Sequence, residues 1–107
     1  MSRSPLQALT VLLGVPEDTP VILQRLDELD WGRTLVFTGT AGTQGFQLRY
    51  DDCRELRWRV YAHETGGATA VVSFAPGRDQ QRSPAQWLTG HFGLSLFYGS
   101  VKVTFGD

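Results

Sequence analysis

The 107 residues carry ten basic and eleven acidic side chains, a net charge of −1. That balance argues against a general nucleic-acid or membrane-surface binder, which is usually basic. With 41% apolar and 20% charged residues, the composition suits one packed core rather than a disordered tail, and the length suits a single domain over 1–107.

Cys53 is the single cysteine, so no intrachain disulfide can form, which fits a reducing compartment. The first residues lack the sustained apolar region and cleavage site of a signal peptide. The longest apolar run, Val11-Leu12-Leu13, is far too short to cross a bilayer. The expectation is a cytoplasmic protein with no membrane association.

Residues 4–13 read as a short helix. Ser4 is a capping residue, Pro5 suits the first turn, Gln7 completes a capping box, and Gly14 followed by Pro16 stops the helix. Leu6, Leu9 and Leu13 fall on one face. Residues 19–30 fit two patterns. Ile22, Leu26 and Leu29 have helical spacing, whereas Val21, Leu23 and Leu29 alternate as in a strand. The polar run Gln24 to Glu28 is poor strand composition and favours helix. Trp31-Gly32 turns the chain.

From Arg33 onward the pattern is β. Thr34 to Thr40 pairs with 46–50 across a Gly42-Thr43 turn, which sets Leu35, Phe37 and Gly39 opposite Tyr50, Leu48 and Phe46. Residues 46–50 and 56–60 read as the next pair, joined by the loop Asp51 to Glu55. Thr65-Gly66-Gly67 is a turn, and 69–75 is apolar enough to be a strand that is central or covered on both sides. After the polar loop Arg78 to Arg82, Ser83-Pro84-Ala85-Gln86 reads as a second capping box opening a short helix to Gly90. A final hairpin joins 94–98 to 101–105 across Gly99-Ser100, with Leu94, Leu96, Tyr98, Val101, Val103 and Phe105 on one face.

The expected fold is therefore a β-rich α+β single domain: an antiparallel β-meander of about six strands, forming a strongly twisted sheet or small barrel. It carries a short N-terminal helix and a short helix before the last hairpin. Residues 1–31 form the helical or ambiguous segment packed on the 33–105 meander. The order of elements resembles that of OB-type barrels in sequence of elements alone, with one strand too many before the second helix, and no family is assigned.

The polar feature with most chemical content is a set of arginines. In the register above Arg49 lies opposite Arg57 and Gln47 opposite Arg59, with Tyr61 extending the same face. Guanidinium groups beside an aromatic ring suit a phosphate or carboxylate through planar, bidentate donation. The competing reading is a solvated face neutralised by Asp51, Asp52 and Glu55, or by Asp27 and Glu28, and charged faces are commoner than ligand sites. Phe97 points away from the core of its hairpin, opposite Lys102, and marks either a covered surface or a contact. The last strand is a candidate sheet edge, which invites strand addition.

Cys53 reads as an incidental loop cysteine, since no base is placed beside it. His63 and His91 have no metal-ligand spacing with it. No phosphate loop, dinucleotide fingerprint or nucleophile elbow is present. No catalytic residue, cofactor or metal is expected. The first-ranked function is a non-enzymatic interaction module that binds a protein partner through a sheet edge or the arginine–tyrosine surface, with homodimerisation as one form of this. The alternative is a binder of a small anionic ligand or single-stranded nucleic acid through Arg49, Arg57, Arg59 and Tyr61. A small enzyme with an unrecognised cleft ranks last.

Overall fold

The computed structural model describes residues 6–60, 68–77 and 83–106. The chain runs through helix α1 (Gln7–Leu13), strand β1 (Val21–Leu29), a 3-10 turn (Asp30–Gly32), β2 (Thr34–Ala41), β3 (Gln44–Asp51), β4 (Arg54–Val60), β5 (Thr69–Ala75), β6 (Ala85–Thr89), β7 (Phe92–Phe97) and β8 (Ser100–Gly106). The strands form one sheet of order β4-β7-β6-β5-β1-β2-β3-β8, which is not closed. Every pairing is antiparallel. The β-rich antiparallel expectation is met. The strands are more numerous than expected, and α1 is the one α-helix among the described residues.

Helix α1 stops as anticipated, with Gly14 in the left-handed conformation at φ 69°. Leu9 and Leu13 are buried, and Leu6 packs against the same core. The helix starts later than expected, with Leu6 at its N-cap and no side-chain capping bond; Ser4 and Pro5 lie outside the described residues.

The hairpin of β2 and β3 has the anticipated register. Leu35 faces Tyr50, Phe37 faces Leu48 and Gly39 faces Phe46. Gly42 opens the turn at φ 63°, a conformation that costs glycine no steric strain. Leu35, Phe37, Phe46, Leu48 and Tyr50 are all essentially buried. Each such side chain contributes roughly 1.5–3 kcal/mol on leaving water, so this face anchors the core.

Residues 21–29 are a strand, not the favoured helix. β1 pairs with β2 along its length, and the register shifts between Leu23 and Arg25, leaving Gln24 as a bulge. A bulge inserts one residue and reverses the alternation beyond it. Val21 and Leu23 point inward before it, and Leu26 packs on the core after it. The resulting spacing of two and then three residues imitates a helix. The segment 85–89 is likewise a strand rather than a helix. Ala85, Trp87 and Thr89 are buried while Gln86 and Leu88 are exposed, a period of two. The likeness to the OB element order falls with that helix.

The largest departure concerns strand pairing. Segments 46–50 and 56–60 do not form a hairpin, and neither do 94–98 and 101–105. β3 pairs with β8 and β4 pairs with β7. β3 runs on into β4 through Asp51–Cys53, and β7 runs on into β8 through Tyr98 and Gly99. The result is a single two-stranded ribbon bent at a corner. Asp51 faces Ser100 on one arm, Arg54 faces Phe97 on the other, and the Gly99 N–H donates to the Asp51 carbonyl at 2.9 Å between them. A Cβ on Gly99 would sit 2.8 Å from the Asp52 side chain, so the corner requires glycine. Asp52 itself is left-handed at φ 56°.

The sheet curls so that β6 faces β2 and β3 across the core. The Phe37 and Trp87 rings stack at 4.5 Å, Phe74 meets Trp87 edge-on at 4.7 Å, and Trp87 Nε1 donates to the Tyr50 hydroxyl at 3.2 Å. β5 is central in the sheet, the first of the two expected alternatives, and Val72 on its outer face is half exposed. The turn expected at 65–67 and the loop at 78–82 lie outside the described residues.

Candidate functional site

The pairing of β4, β7, β6 and β5 creates a face that no single hairpin would show. Trp58, Leu94, Trp87 and Phe74 form one cross-strand row on the inner side. Alternation then sends the flanking rows outward. One row is Arg57, Ser95, Gln86 and Ala75; the other is Arg59, Gly93, Leu88 and Ser73. The small residues Gly93, Ser95, Ser73 and Ala75 lie between longer neighbours, so the two rows line a shallow depression of about 450 Å³.

Arg57 and Arg59 stand at one margin of that depression. They are two residues apart on the same side of β4, a separation of about 6.6 Å along a strand. Two other arginines are neutralised. Arg25 pairs with Asp27 at 2.9 Å and Arg49 with Asp51 at 3.1 Å. Among the described residues, neither Arg57 nor Arg59 makes an ion pair. Two such groups offer planar donors to carboxylates or phosphates.

The anticipated residue set therefore divides. Arg57 and Arg59 lie together, opposite Ser95 and Gly93 rather than Arg49 and Gln47. Arg49 belongs to the other arm of the ribbon, between Val36 and Lys102, and its partner Asp51 also accepts from the Thr34 hydroxyl at 3.2 Å. Tyr61 and His63 lie outside the described residues. Phe97 is half-buried and faces Arg54, not Lys102; its outward parity places it on the same side of β7 as Ser95 and Gly93. Gln86, Leu88 and Ser73 were not anticipated. Their signal was present in the alternation of 85–89 but was masked by the helix-capping pattern of Ser83 to Gln86.

Cys53 lies in the short connection between β3 and β4 and is buried there. Its thiol lies 3.6 Å from the Tyr50 carbonyl, its N–H donates to the Arg33 carbonyl at 2.8 Å, and burial pushes the thiol up to about 11. It is a neutral core thiol, the opposite of an activated nucleophile. His91 occupies the β6–β7 turn, where its N–H and that of Phe92 donate to Thr89 Oγ1 at 3.1 and 3.0 Å. Among the described residues no group of three or more His, Cys, Asp or Glu could hold a metal ion.

Two other surface features stand apart from the arginines. A groove of about 550 Å³ runs between α1 and the sheet margin, lined by Val11, Leu12, Phe74, Tyr98 and Val101 among others. Trp31 projects fully into solvent from a left-handed turn, with φ 53° at Asp30 and 62° at Trp31. Neither presents a charge pattern that specifies an occupant. Searches of protein-family models and of curated proteins find no match to this chain.

Proposed function

We propose that this protein is a non-enzymatic protein-binding module that recognises an acidic surface of its partner through Arg57 and Arg59. The observation that carries this reading is the pair of adjacent outward guanidinium groups with no ion-pair partner among the described residues, set beside a shallow depression of small side chains. An exposed arginine pair costs little in water, and it gains most when a partner's carboxylates desolvate it. The shallowness of the face favours a protein surface over a small molecule, since small-ligand sites enclose most of their ligand. Among the described residues no helix is long and apolar enough to cross a membrane.

The test is an NMR titration of the isotope-labelled protein with polyglutamate. Shifts should concentrate on β4 and the facing residues of β7, weaken as salt rises, and vanish in the Arg57→Ala/Arg59→Ala double variant. Equal shifts in the double variant would overturn the reading. Binding of inorganic phosphate at the same residues without polyglutamate binding would favour the small-anion alternative instead.

A further inference from the structure

The margin of the site that carries Arg57 and Arg59 is a sheet edge. β4 ends the strand order, and among the described residues no strand lies on its other side. An edge strand exposes a row of unpaired N–H and C=O groups. β4 is also exposed on both faces for nearly its whole length. Its inward-facing side chains are apolar yet uncovered: Trp58 is 40% and Val60 60% exposed. Trp58 faces Leu94 across the strand pair and tilts against Phe92 with ring centroids 5.5 Å apart. Its outward-facing side chains include Arg57 and Arg59, with Arg54 on the same side opposite Phe97.

We propose that this edge is completed by an extended acidic segment of the partner protein, added as a further strand, in which carboxylates alternate with apolar residues. The inference rests on the protein-binding reading above and specifies its geometry. In an added strand, side chains of one parity meet the outward row of β4 and those of the other parity meet the inward row. Carboxylates at successive outward positions have the same spacing as Arg57 and Arg59. Apolar residues between them extend the inner row and cover Trp58 and Val60. Backbone pairing supplies the remaining contacts.

The same register argues against a second copy as occupant. If two β4 edges pair about Trp58, Arg57 of each copy stands directly opposite Arg59 of the other, which is unfavourable. Pairing β4 with the other free edge, β8, sets Lys102 on that same outward side. Both edges therefore carry cations where a self-complementary sheet would need the opposite sign.

The test uses the intact chain and capped peptides as long as β4, which has seven residues. In the first peptide glutamate alternates with valine or threonine. The second has the same sequence, with alternate amides N-methylated to remove the backbone donors. The expected result is binding of the first, at least about tenfold weaker binding of the second, and slowed hydrogen exchange of β4 amides in the complex. Equal binding of both peptides with unprotected β4 amides would overturn strand addition, as would polyglutamate binding without binding of the alternating peptide; in both cases the arginine reading survives. Absence of any acidic ligand binding would remove both. A dimer of the chain alone, with β4 amides protected, would overturn the proposal in favour of a second copy.

Discussion

The bond between Trp87 and Tyr50 joins opposite sides of the core, and its removal has a calculable cost. Tyr50→Phe keeps the ring, and with it the edge contact to Phe37 at 5.8 Å and the tilted contact to Tyr98 at 4.7 Å. It removes the acceptor for Trp87 Nε1. Trp87 is essentially buried, so water does not readily replace the lost partner. A buried donor left unsatisfied costs about 1–3 kcal/mol, and in a domain of this size each kcal/mol moves the melting temperature by about 4–8 °C. Urea melts of Tyr50→Phe, Trp87→Phe and the double variant form the appropriate cycle. In the Trp87→Phe background the hydroxyl is itself the orphan, so removing it should be neutral or stabilising. The coupling should then exceed about 1 kcal/mol. Additive losses, or a Tyr50→Phe cost below about 0.5 kcal/mol, would refute the idea that this bond satisfies the indole.

Burial also holds the Tyr50 hydroxyl above the usual tyrosine range, and the Cys53 thiol rises from its ordinary value of 9.0 to about 11. Both groups lose protons more readily in the unfolded chain. Stability should therefore be intact below pH 9 and fall as the pH rises through about 11, an effect that alkaline unfolding reads and Tyr50→Phe reduces. A thiol reagent should label Cys53 slowly in the folded protein and promptly in urea; immediate labelling of the native state would contradict its burial. Gly39→Ala should cost about 1–3 kcal/mol in urea melts, because the new Cβ would lie 2.1 Å from the Ile22 carbonyl oxygen beside the bulge. Deleting Gln24 should leave the pairing intact and cost less than about 1 kcal/mol, since Leu23 and Arg25 already face the consecutive residues Gly39 and Thr38 and the shortened strand alternates with Val21, Leu23 and Leu26 all on the core side. A circular-dichroism melt that loses the fold on that deletion would show that the bulge itself is needed for the register.

The legible parts of the fold are those in which a pattern and its partner lie close in the chain. β2 and β3 are joined by a tight Gly42-Thr43 turn, so alternation and turn chemistry together define the pairing. The ribbon of β3–β4 with β7–β8 shows the limit of that logic. Leu94, Leu96, Val101 and Val103 all pack in or against the core, as their alternation implies. Alternation states which side of a strand is buried, not which strand lies beside it. The bends at Asp52 and Gly99 carry each strand around a corner where a hairpin turn would be the default reading. The same limit applies to the site. Arg57 and Arg59 were visible as an outward pair, whereas Gln86 and Ser73 join them only through strands distant in sequence. At β1 and β6 local signals misled, because a bulge gave helical spacing and a capping tetrapeptide preceded a strand.

The bent ribbon also dictates an order of assembly during synthesis. β2 and β3 can pair as soon as both have left the ribosome, but the second edge of β3 must wait for β8, and β4 must wait for β7. Those contacts span from about a third to more than half of the sequence, the kind of closure that slows folding. In the interval Leu48 and Tyr50 lack the inward neighbours Val103 and Val101, and the open β3 edge can capture a neighbouring nascent chain. The charged residues Arg49 and Asp51 along that edge are thus placed to protect the growing polypeptide before the finished molecule exists.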